Sequence, residues 1–410
     1  MHTPTPSRRG LLRFGAAAVP LIALGSAVPA VARAAAAPAT EAPATEAPAT
    51  DGAAAGAARA AAPPLRMPAE SDRHDRTFMA WPALPSVWRT QLSAVRDDIA
   101  KLAHEISRYE PVVMVARPGQ AADARYYCGP GAYYRITVVE ISNDDLWIRD
   151  FGPTFVVGPG TIAGVDTNFN GWGKDGTPYY QRYAEDAAVA GTLLAEYGVD
   201  RIRAPFVGEG GALETDGEGT LLATVSSWVN PNRNPGMSQA EVERALRTTL
   251  GMDKVIWLDG VAGQDITDAH IDCLARFTAP GRVLLDRPGP GTDQVWVKVY
   301  EQAKRALSTA TDARGRALTV VELPAPDRKR IRGRDLGKDF LSSYSNFYVA
   351  NDAVFVPQFG HGAADARARA ILQAEFPTRD IVQVDIDNIA SGGGGIHCAT
   401  QSQPSVPPLR

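Results

Sequence analysis

The sequence predicts an α/β fold, and three observations support this prediction. Short runs rich in β-branched and aromatic residues recur along the chain, and segments with apolar residues at three- and four-residue intervals lie between several of them. The chain has 410 residues, of which 45% are hydrophobic, so it can bury a sizeable core. Because strand and helix patterns alternate without a break in composition, we predict a single α/β domain.

Each predicted element follows from its residue pattern. Ser238 and Glu241 form a capping box that opens a helix ending near Leu250. The other predicted helices, which have the helical period, are 88–109, 180–197 and 365–376. The predicted strands are 111–116, 134–141, 154–157, 255–258, 282–285, 318–323, 353–358 and 380–386.

The N-terminal segment predicts export. Arg8 and Arg9 precede an apolar run that ends in an A-x-A cleavage pattern, so 1–34 is predicted to be a twin-arginine signal peptide. Residues 35–66 are rich in Ala, Pro and Thr and are predicted to be a disordered linker. The catalytic domain is expected over 67–410. We expect the mature protein to be secreted, without a stable membrane anchor.

Charge and cysteine content exclude several classes of partner. The net charge is −4 with acids and bases interleaved, so neither nucleic acid nor an anionic membrane is indicated as a partner. The three cysteines, Cys128, Cys273 and Cys398, cannot all pair within one chain, and the sequence leaves the pairing of the first two open. There is no C-x-x-C pair, so a structural zinc site is not expected. The sequence leaves a homodimer open.

Cys398 is the first candidate for a nucleophile. It follows four consecutive glycines, 392–395, at two residues' distance. Such a run has no use in a packed helix or strand, but its bare backbone can bend sharply and approach a ligand closely. The alternative is a buried structural thiol, which is the commoner state of a free cysteine.

Two acids stand in segments that follow strand patterns. Asp150 closes a segment with two further aspartates, an arginine and a tryptophan before a Gly-Pro turn, and Glu209 is embedded in glycines. The alternatives are a surface ion pair of Arg149 with Asp150 and an ordinary turn at Glu209. The glycines around Glu209 indicate a backbone that must clear a bulky group.

His270 and Asp272 are predicted to face one cavity, because residues i and i+2 of an extended segment point to the same side. A metal pair is conceivable at this spacing, but the other histidines are scattered and none recurs at ligand spacing. A general acid–base histidine beside a substrate-binding carboxylate is the favoured interpretation.

The combination of these residues constrains the substrate. A thiol with a histidine suits acyl transfer, but an acyl intermediate needs N–H donors around a developing oxyanion, not three acids. Asp150, Glu209 and Asp272 around a nucleophile instead favour a cationic electrophile. A planar guanidinium fits, because carboxylates bind its N–H groups in pairs.

Six motifs resemble those of the agmatine deiminases, a group related to arginine deiminases and bacterial peptidylarginine deiminases within the guanidino-group-modifying superfamily. In chain order they read DDLWIRDFGPTFV, FNGWG, GEGG, HID, NFYVANDAVFVPQFG and GGGGIHCATQSQP. The resemblance covers nearly the whole chain after Met67. It implies five ββαβ-type units arranged as an α/β propeller around a central channel, and a hydrolysis without metal or cofactor.

The resemblance also implies residue roles. Cys398 is similar to the nucleophile and His270 to the general acid/base, while Asp150 and Asp272 resemble the groups that clamp the guanidinium. Glu209 resembles the acid that orients the histidine and contacts the guanidinium. A further position, Trp147, resembles an aromatic wall on the substrate.

The resemblance leaves three interpretations of function. Agmatine is favoured as the substrate, because the matching region 168–173 lacks the arginines that secreted peptidylarginine deiminases carry after the first catalytic acid. Peptidylarginine is the alternative, supported by the export signal. A secreted, non-catalytic polyamine-binding protein is a third option, which needs neither Cys398 nor His270. One departure from the family pattern is Ala269, where glycine is more usual before the histidine.

Overall fold

A small sheet with an antiparallel pair and a parallel third strand recurs in the computed structural model, which describes residues 64–331 and 336–409. The described residues form sixteen strands: β1 (His74–Ala80), β2 (Val112–Ala116), β3 (Ile136–Glu140), β4 (Thr154–Gly158), β5 (Thr161–Asp166), β6 (Asp200–Arg203), β7 (Glu214–Thr215), β8 (Thr220–Thr224), β9 (Lys254–Leu258), β10 (Ala275–Ala279), β11 (Arg282–Arg287), β12 (Thr319–Pro324), β13 (Tyr348–Val349), β14 (Ala353–Pro357), β15 (Asp380–Val384) and β16 (Gln401–Pro404).

Helices connect these strands. The α-helices are α1 (Pro85–Trp88), α2 (Leu92–Ile106), α3 (Ala121–Cys128), α4 (Ile148–Phe151), α5 (Asp186–Glu196), α6 (Val225–Trp228), α7 (Gln239–Leu250), α8 (Gln294–Thr309), α9 (Gly362–Glu375) and α10 (Asp387–Ala390). Short 3-10 helices occupy Arg89–Gln91, Gly171–Gly173, Gly210–Ala212, Ile271–Cys273 and Arg328–Arg330.

Four sheets share one topology. They have the strand orders β4-β5-β6, β7-β8-β9, β10-β11-β12 and β13-β14-β15. In each, the first two strands are antiparallel and the third lies parallel to the second. A parallel neighbour needs a crossover connection, which the intervening helices provide.

The remaining sheet joins the two ends of the described chain. Its order is β16-β1-β2-β3, and the C-terminal strand β16 pairs antiparallel with β1 while β2 and β3 follow in parallel. Every residue of β2 is buried, as is every residue of β8 and β14. Such continuous apolar strands are typical of sheets covered on both faces.

The predicted elements are largely found, but two helix bounds were wrong. The helix predicted over 180–197 begins only at Asp186, and the one predicted over 88–109 is the 3-10 helix Arg89–Gln91 followed by α2, which ends at Ile106. All eight predicted strands are present, with bounds within two residues of those predicted. The capping box is confirmed, because Ser238 Oγ accepts from Glu241 N and Glu241 Oε2 accepts from Ser238 N at 2.8 Å. Helix α8 was not predicted. Its alternating Val295, Val297 and Val299 resemble a strand pattern, whereas Asp293 caps it as a helix.

The N-terminal predictions fall mostly outside the described residues. This holds for the signal peptide at 1–34 and for most of the linker at 35–66. The folded part begins slightly earlier than predicted, because Arg66 N donates to Val157 O at 2.9 Å and the reverse bond is 2.8 Å. Within the described ranges, no helix has the length and apolarity needed to cross a bilayer.

Candidate active site

The site is built from the segment that precedes the first strand of each sheet. These segments contribute Asp150 before β4, Glu209 before β7, Asp272 before β10, Asn346 before β13 and Cys398 before β16. Residues far apart in the chain therefore occupy one position of a recurring unit. Direct contacts, described below, join them into one cluster.

The cluster forms part of the wall of a cavity of about 560 Å³. His270, Asp272, Cys273 and Cys398 line this cavity. Asp150 lies next to the lining, with its Oδ1 3.7 Å from His270 Nδ1. The volume exceeds what water needs and accommodates a small organic substrate.

Asn346 holds the candidate nucleophile in place. The Cys398 backbone N–H donates to Asn346 Oδ1 at 3.3 Å, and Asn346 Nδ2 donates to Cys398 Sγ at 3.3 Å. A Cβ at Gly395 would lie 2.5 Å from Asn346 Oδ1. The glycine is therefore required by close approach of the backbone, as the glycine run predicted.

The surroundings of Cys398 favour its protonated form. The Cys273 thiol lowers the pKa of Cys398 by a hydrogen bond, but burial and the carboxylates of Asp272 and Asp150 outweigh this and raise the pKa above its ordinary value. In agreement, Cys398 Sγ donates to Asp272 Oδ2 at 3.5 Å. We therefore expect a thiol, not a thiolate, in the absence of a bound cation.

Asp272 is stabilised as an anion. Burial opposes its ionisation, but His397 Nδ1 lies 2.8 Å from its Oδ2, and the positive charges nearby hold the pKa well below the ordinary value. Asn346 Nδ2 also donates to Oδ2, at 3.2 Å. The other oxygen, Oδ1, is buried and has no hydrogen-bond partner among the described residues. It is available to a ligand in the cavity.

His270 is charged at neutral pH. Burial alone would lower its pKa, but the carboxylates of Asp150, Glu209 and Asp272 raise it to about 9. Nε2 donates to Glu209 Oε2 at 3.2 Å, while Nδ1 has no hydrogen-bond partner in the described part of the chain. The predicted extended segment is wrong here, because Ile271–Cys273 is a 3-10 helix. His270 and Asp272 nevertheless face the same cavity.

Glu209 is held by a buried arginine. Arg233 Nε lies 2.8 and 2.9 Å from the two Glu209 oxygens, and Arg233 also donates to Asp268 Oδ2 at 2.8 Å. Burial opposes the charge of Glu209, but Arg233 and His270 lower its pKa below the ordinary value. The alternative of an ordinary turn at Glu209 is excluded, because its side chain is fully buried in this ion network.

Asp150 has neutral hydrogen-bond donors. Trp172 Nε1 donates to its Oδ2 at 2.8 Å and Gly211 N to its Oδ1 at 3.1 Å. Burial raises the pKa of Asp150 to about 6, opposed by His270 and reinforced by repulsion from the other site carboxylates. The surface-pair alternative is excluded, because Arg149 is buried and pairs with Glu70.

Gly211 explains the glycines around Glu209. A Cβ at this position would lie 2.7 Å from both Asp150 Oδ1 and His270 Nδ1, and 3.1 Å from Asp272 Oδ2. Any side chain here would enter the space between the charged groups. The bulky group that the backbone around Glu209 must clear is therefore the cluster of Asp150, His270 and Asp272 side chains.

Trp147 lies beside the glycine run. A Cβ at Gly394 would lie 2.2 Å from the Trp147 ring, and the ring packs against Trp88 with centroids 6.0 Å apart. It does not belong to the cavity lining formed by the described residues. The structure thus gives Trp147 a packing contact with the segment that carries Cys398, and its contact with substrate remains a prediction.

Sequence reasoning missed several residues of the site. Asn346 and His397 lie within quoted motifs, and Arg233 lies in a segment that no motif covered. His397 links Asp272 to Glu70, whose Oε2 is 3.1 Å from His397 Nε2. The recurring position before the first strand of each unit could have indicated Asn346, but only once the units were recognised.

The cysteines do not pair, and one of them adds to the site. Cys128, Cys273 and Cys398, all within the described part of the chain, are free thiols. Sγ of Cys273, Sγ of Cys398 and one carboxylate oxygen of Asp272 lie within 4.8 Å of one another. The sequence predicted no metal site, whereas these three side chains are close enough together to hold a metal ion.

Comparison with known proteins identifies the class. Residues 66–404 match the Porphyromonas-type peptidyl-arginine deiminase family. Agmatine deiminase of Pseudomonas aeruginosa is 39% identical over 360 residues, covering 83% of this chain and 95% of the relative, and that of Stutzerimonas stutzeri is 39% identical over 358 residues with the same coverage. The solved structure of agmatine deiminase of Enterococcus faecalis superimposes with a TM-score of 0.76 at 34% identity, over 83% of this chain and 96% of that chain.

The fold and the site together define a guanidino-modifying hydrolase with a cysteine beside a charged histidine and several carboxylates. The chain belongs to the Porphyromonas-type peptidyl-arginine deiminase family, together with the agmatine deiminases, and is an enzyme of the class that hydrolyses guanidino C–N bonds. Its α/β fold with several small sheets matches their solved structures.

Proposed function

We propose that the enzyme hydrolyses agmatine to N-carbamoylputrescine and ammonia. The observation that carries this proposal is a pair of buried polar atoms near the Cys398 thiol that have no hydrogen-bond partner among the residues the structure describes. Asp272 Oδ1 can accept from a guanidinium N–H, and His270 Nδ1 can exchange a proton with a departing nitrogen. The relatives named agmatine deiminase add support.

The proposed mechanism is covalent. The bound guanidinium places a positive charge beside Cys398, so the thiol loses its proton to solvent and the thiolate attacks the guanidinium carbon. His270 then protonates one nitrogen, the C–N bond breaks, and ammonia leaves behind an S-alkyl thiouronium. Neutral His270 takes a proton from water, and the hydroxide attacks the same carbon. The Cys398 thiolate then departs, and the new oxygen releases its proton to solvent, which leaves the neutral ureido group of the product.

Charge in the cavity favours a substrate without a carboxylate. Its described lining carries five carboxylates, on residues 265, 272, 286, 293 and 339, against the cationic His270, Arg328 and Lys338. The Arg328 guanidinium already donates to the Phe340 carbonyl at 2.9 Å and to Ser342 Oγ at 3.1 Å. Lys338 Nζ donates to Tyr179 Oη at 3.1 Å. A dication such as agmatine therefore meets an acidic cavity whose cations already have partners.

A substrate comparison tests this function. Purified mature protein is incubated separately with agmatine, free arginine and a peptide with C-terminal arginine, and ammonia and ureido product are measured. We expect kcat/KM for agmatine to exceed that for arginine by at least about a hundredfold, because an unpaired carboxylate buried beside acids costs about 3 kcal/mol. Citrulline formed in the peptide, with agmatine ignored, would establish the peptidylarginine alternative instead.

The covalent step has its own test. Cys398→Ser should abolish turnover while retaining the fold, because a hydroxyl is far too basic to replace the thiol. Cys128→Ala, which removes a buried thiol in α3, is the matched control and should stay active. Wild-type enzyme quenched early in turnover should carry substrate minus ammonia on Cys398. Activity of Cys398→Ser within about tenfold of wild type contradicts the mechanism, since that corresponds to only about 1.4 kcal/mol.

We further propose that the five sheets surround the site as the blades of an α/β propeller. Each sheet contributes its site residue from the same position, and β16 closes the chain by pairing with β1. A crystal structure of the mature domain with the sheets in an open row would contradict this arrangement.

We also propose that the mature enzyme acts outside the cytoplasm, on the basis of the twin-arginine pattern at Arg8 and Arg9. Cell fractionation of the full chain and of a variant with both arginines replaced by lysine tests this. Only the native pair should support export, and equal retention of both forms inside the cell would count against it.

A further inference from the structure

Two thiols and a carboxylate face the cavity together, and the proposed reaction uses only one of the thiols. Cys273, Cys398 and Asp272 all line the cavity, and their ligand atoms lie within 4.8 Å of one another. We propose that these three side chains bind a thiophilic divalent cation such as Zn²⁺, which inhibits the enzyme. The inhibitory consequence rests on the proposed function, whereas the binding site does not.

The spacing of the three ligands suits tetrahedral zinc. Zn–S bonds of about 2.3 Å and Zn–O bonds of about 2.0–2.2 Å place neighbouring ligand atoms roughly 3.3–3.8 Å apart. The three ligand atoms lie within 4.8 Å of one another, so side-chain rotation has to shorten any longer separation among them, and Cys398 Sγ is 3.5 Å from Asp272 Oδ2. The cavity leaves the fourth coordination position open to water.

Neighbouring atoms define the side from which the cation enters. Asn346 Nδ2 lies 3.2 Å from Asp272 Oδ2 and 3.3 Å from each of the two sulfurs. Asn346 is not part of the described cavity lining, so its amide supports the three ligands from behind. Asp272 Oδ1 also indicates a ligand, because it is fully buried and has no hydrogen-bond partner in the described chain. Rotation of the carboxylate lets Oδ1 bind a cation that approaches from the cavity, because Oδ2 already accepts from Asn346 and lies 2.8 Å from His397 Nδ1.

The chemistry of binding is ligand exchange without redox change. The two thiols release their protons to solvent, and their sulfurs and one Asp272 oxygen form bonds to the metal. Soft thiolates select Zn²⁺ over Mg²⁺ and Ca²⁺, which prefer oxygen ligands. Because the Cys398 lone pair and Asp272 would both be engaged, the cation and the guanidinium substrate must exclude each other.

The decisive variant is Cys273→Ala, because Cys273 belongs to the metal site and no bond forms or breaks at its sulfur in the proposed reaction. Its hydrogen bond to Cys398 lowers the pKa of the nucleophile, so the variant has its own metal-free rate as reference. Cys128→Ala is the matched control for loss of a buried thiol. Zn²⁺ inhibition of agmatine hydrolysis is measured for each protein relative to its own metal-free rate. We expect competitive inhibition of wild type and Cys128→Ala that EDTA reverses and Mg²⁺ does not reproduce. Half-inhibition of Cys273→Ala should need at least about a hundredfold more Zn²⁺.

A spectroscopic measurement separates this inference from the proposed function. Co²⁺ added to wild type should give the thiolate-to-metal charge-transfer absorption of a two-sulfur site, which Cys273→Ala should weaken and Cys128→Ala should keep. This holds even if agmatine is not the substrate. The inference is overturned if Cys273→Ala keeps wild-type Zn²⁺ sensitivity and Co²⁺ spectrum, or if a reductant rather than EDTA restores activity, which would indicate a Cys273–Cys398 disulfide.

Discussion

The two aspartates on either side of the site, Asp150 and Asp272, are held in opposite ways. Asp272 is held in place by His397 and Asn346, and nearby positive charge keeps its pKa well below the ordinary value. Within the described chain, the hydrogen bonds to Asp150 come from the neutral N–H groups of Trp172 and Gly211, and the charged His270 lies 3.7 Å from its Oδ1. Burial raises the pKa of Asp150 to about 6. Two residues of one type thus differ in charge stability because of their donors.

This difference shows how the site prepares for a cation. Asp272 is a preformed anion, and its Oδ1 has no hydrogen-bond partner in the described ranges, so it can orient a guanidinium on arrival. Ionisation of Asp150 is opposed by burial and by repulsion from Asp272 and Glu209, and an additional positive charge would relieve this. Binding of a cationic substrate would therefore balance the negative charge of the site carboxylates.

Of the two aspartate substitutions, Asp272→Asn should have the larger effect. The amide removes the anion that His397 and the substrate share, and charge-assisted bonds contribute about 1.5–3 kcal/mol each. Steady-state kinetics should show kcat/KM for agmatine reduced by at least about a hundredfold, or about 2.7 kcal/mol. Asp293→Asn is the matched control, because Asp293 lines the same cavity as the cap of α8. A similar loss in both variants would mean that general cavity charge, not Asp272, is responsible.

Asp150→Asn should have a smaller effect. Its pKa of about 6 means that burial already disfavours the carboxylate form in the wild type. Replacing this carboxylate with an amide therefore loses less binding free energy than at Asp272. We expect kcat/KM for agmatine to fall by at least about tenfold, less than for Asp272→Asn, measured under the same conditions. If Asp150→Asn has wild-type kinetics, Asp150 does not bind the substrate. If its loss of kcat/KM exceeds that of Asp272→Asn, Asp150 is the more important of the two aspartates.

The pH profile should separate the two aspartates. A raised pKa means that Asp150 is neutral below about pH 6, so the guanidinium loses one of its two anions as pH falls, whereas Asp272 stays ionised. Plots of log kcat/KM against pH should steepen below about 6, by a further tenfold per unit. Asp150→Asn should lose this additional slope. Asp286→Asn is the control, because burial raises the pKa of this cavity residue to about 7, and the break near 6 should persist in it.

The smallest expected effect lies next to His270. Ala269 has φ +66°, a left-handed conformation that costs a residue with a Cβ about 1–2 kcal/mol. Ala269→Gly removes this cost but adds unfolded-state entropy, so a net stabilisation of up to about 1 kcal/mol is expected. In a domain of this size, thermal unfolding should show a Tm rise of up to about 1.5 °C. Ala275→Gly, in strand β10, should lower Tm instead. A lower Tm for Ala269→Gly would show that its methyl group packs usefully.

Much of the fold could be predicted from local pattern. The strand at 353–358 and the capping box at Ser238 depend on residues close in sequence, and both were found. The glycine run and the GEGG segment identified Cys398 and Glu209, because a backbone that must pass close to other atoms excludes a Cβ. The extended segment predicted around His270 was wrong, since short 3-10 turns leave no clear periodic signal.

The sequence by itself determined the class of chemistry: a thiol, a histidine and three acids that together call for a cationic substrate. Only the tertiary structure decided which acids face the site. Asp145 accepts from Trp88 and Asp144 pairs with Arg117, whereas Asp150 in the same segment meets His270. It also decided the protonation states, because a pKa depends on burial and on charges that lie close in space but far apart in the chain.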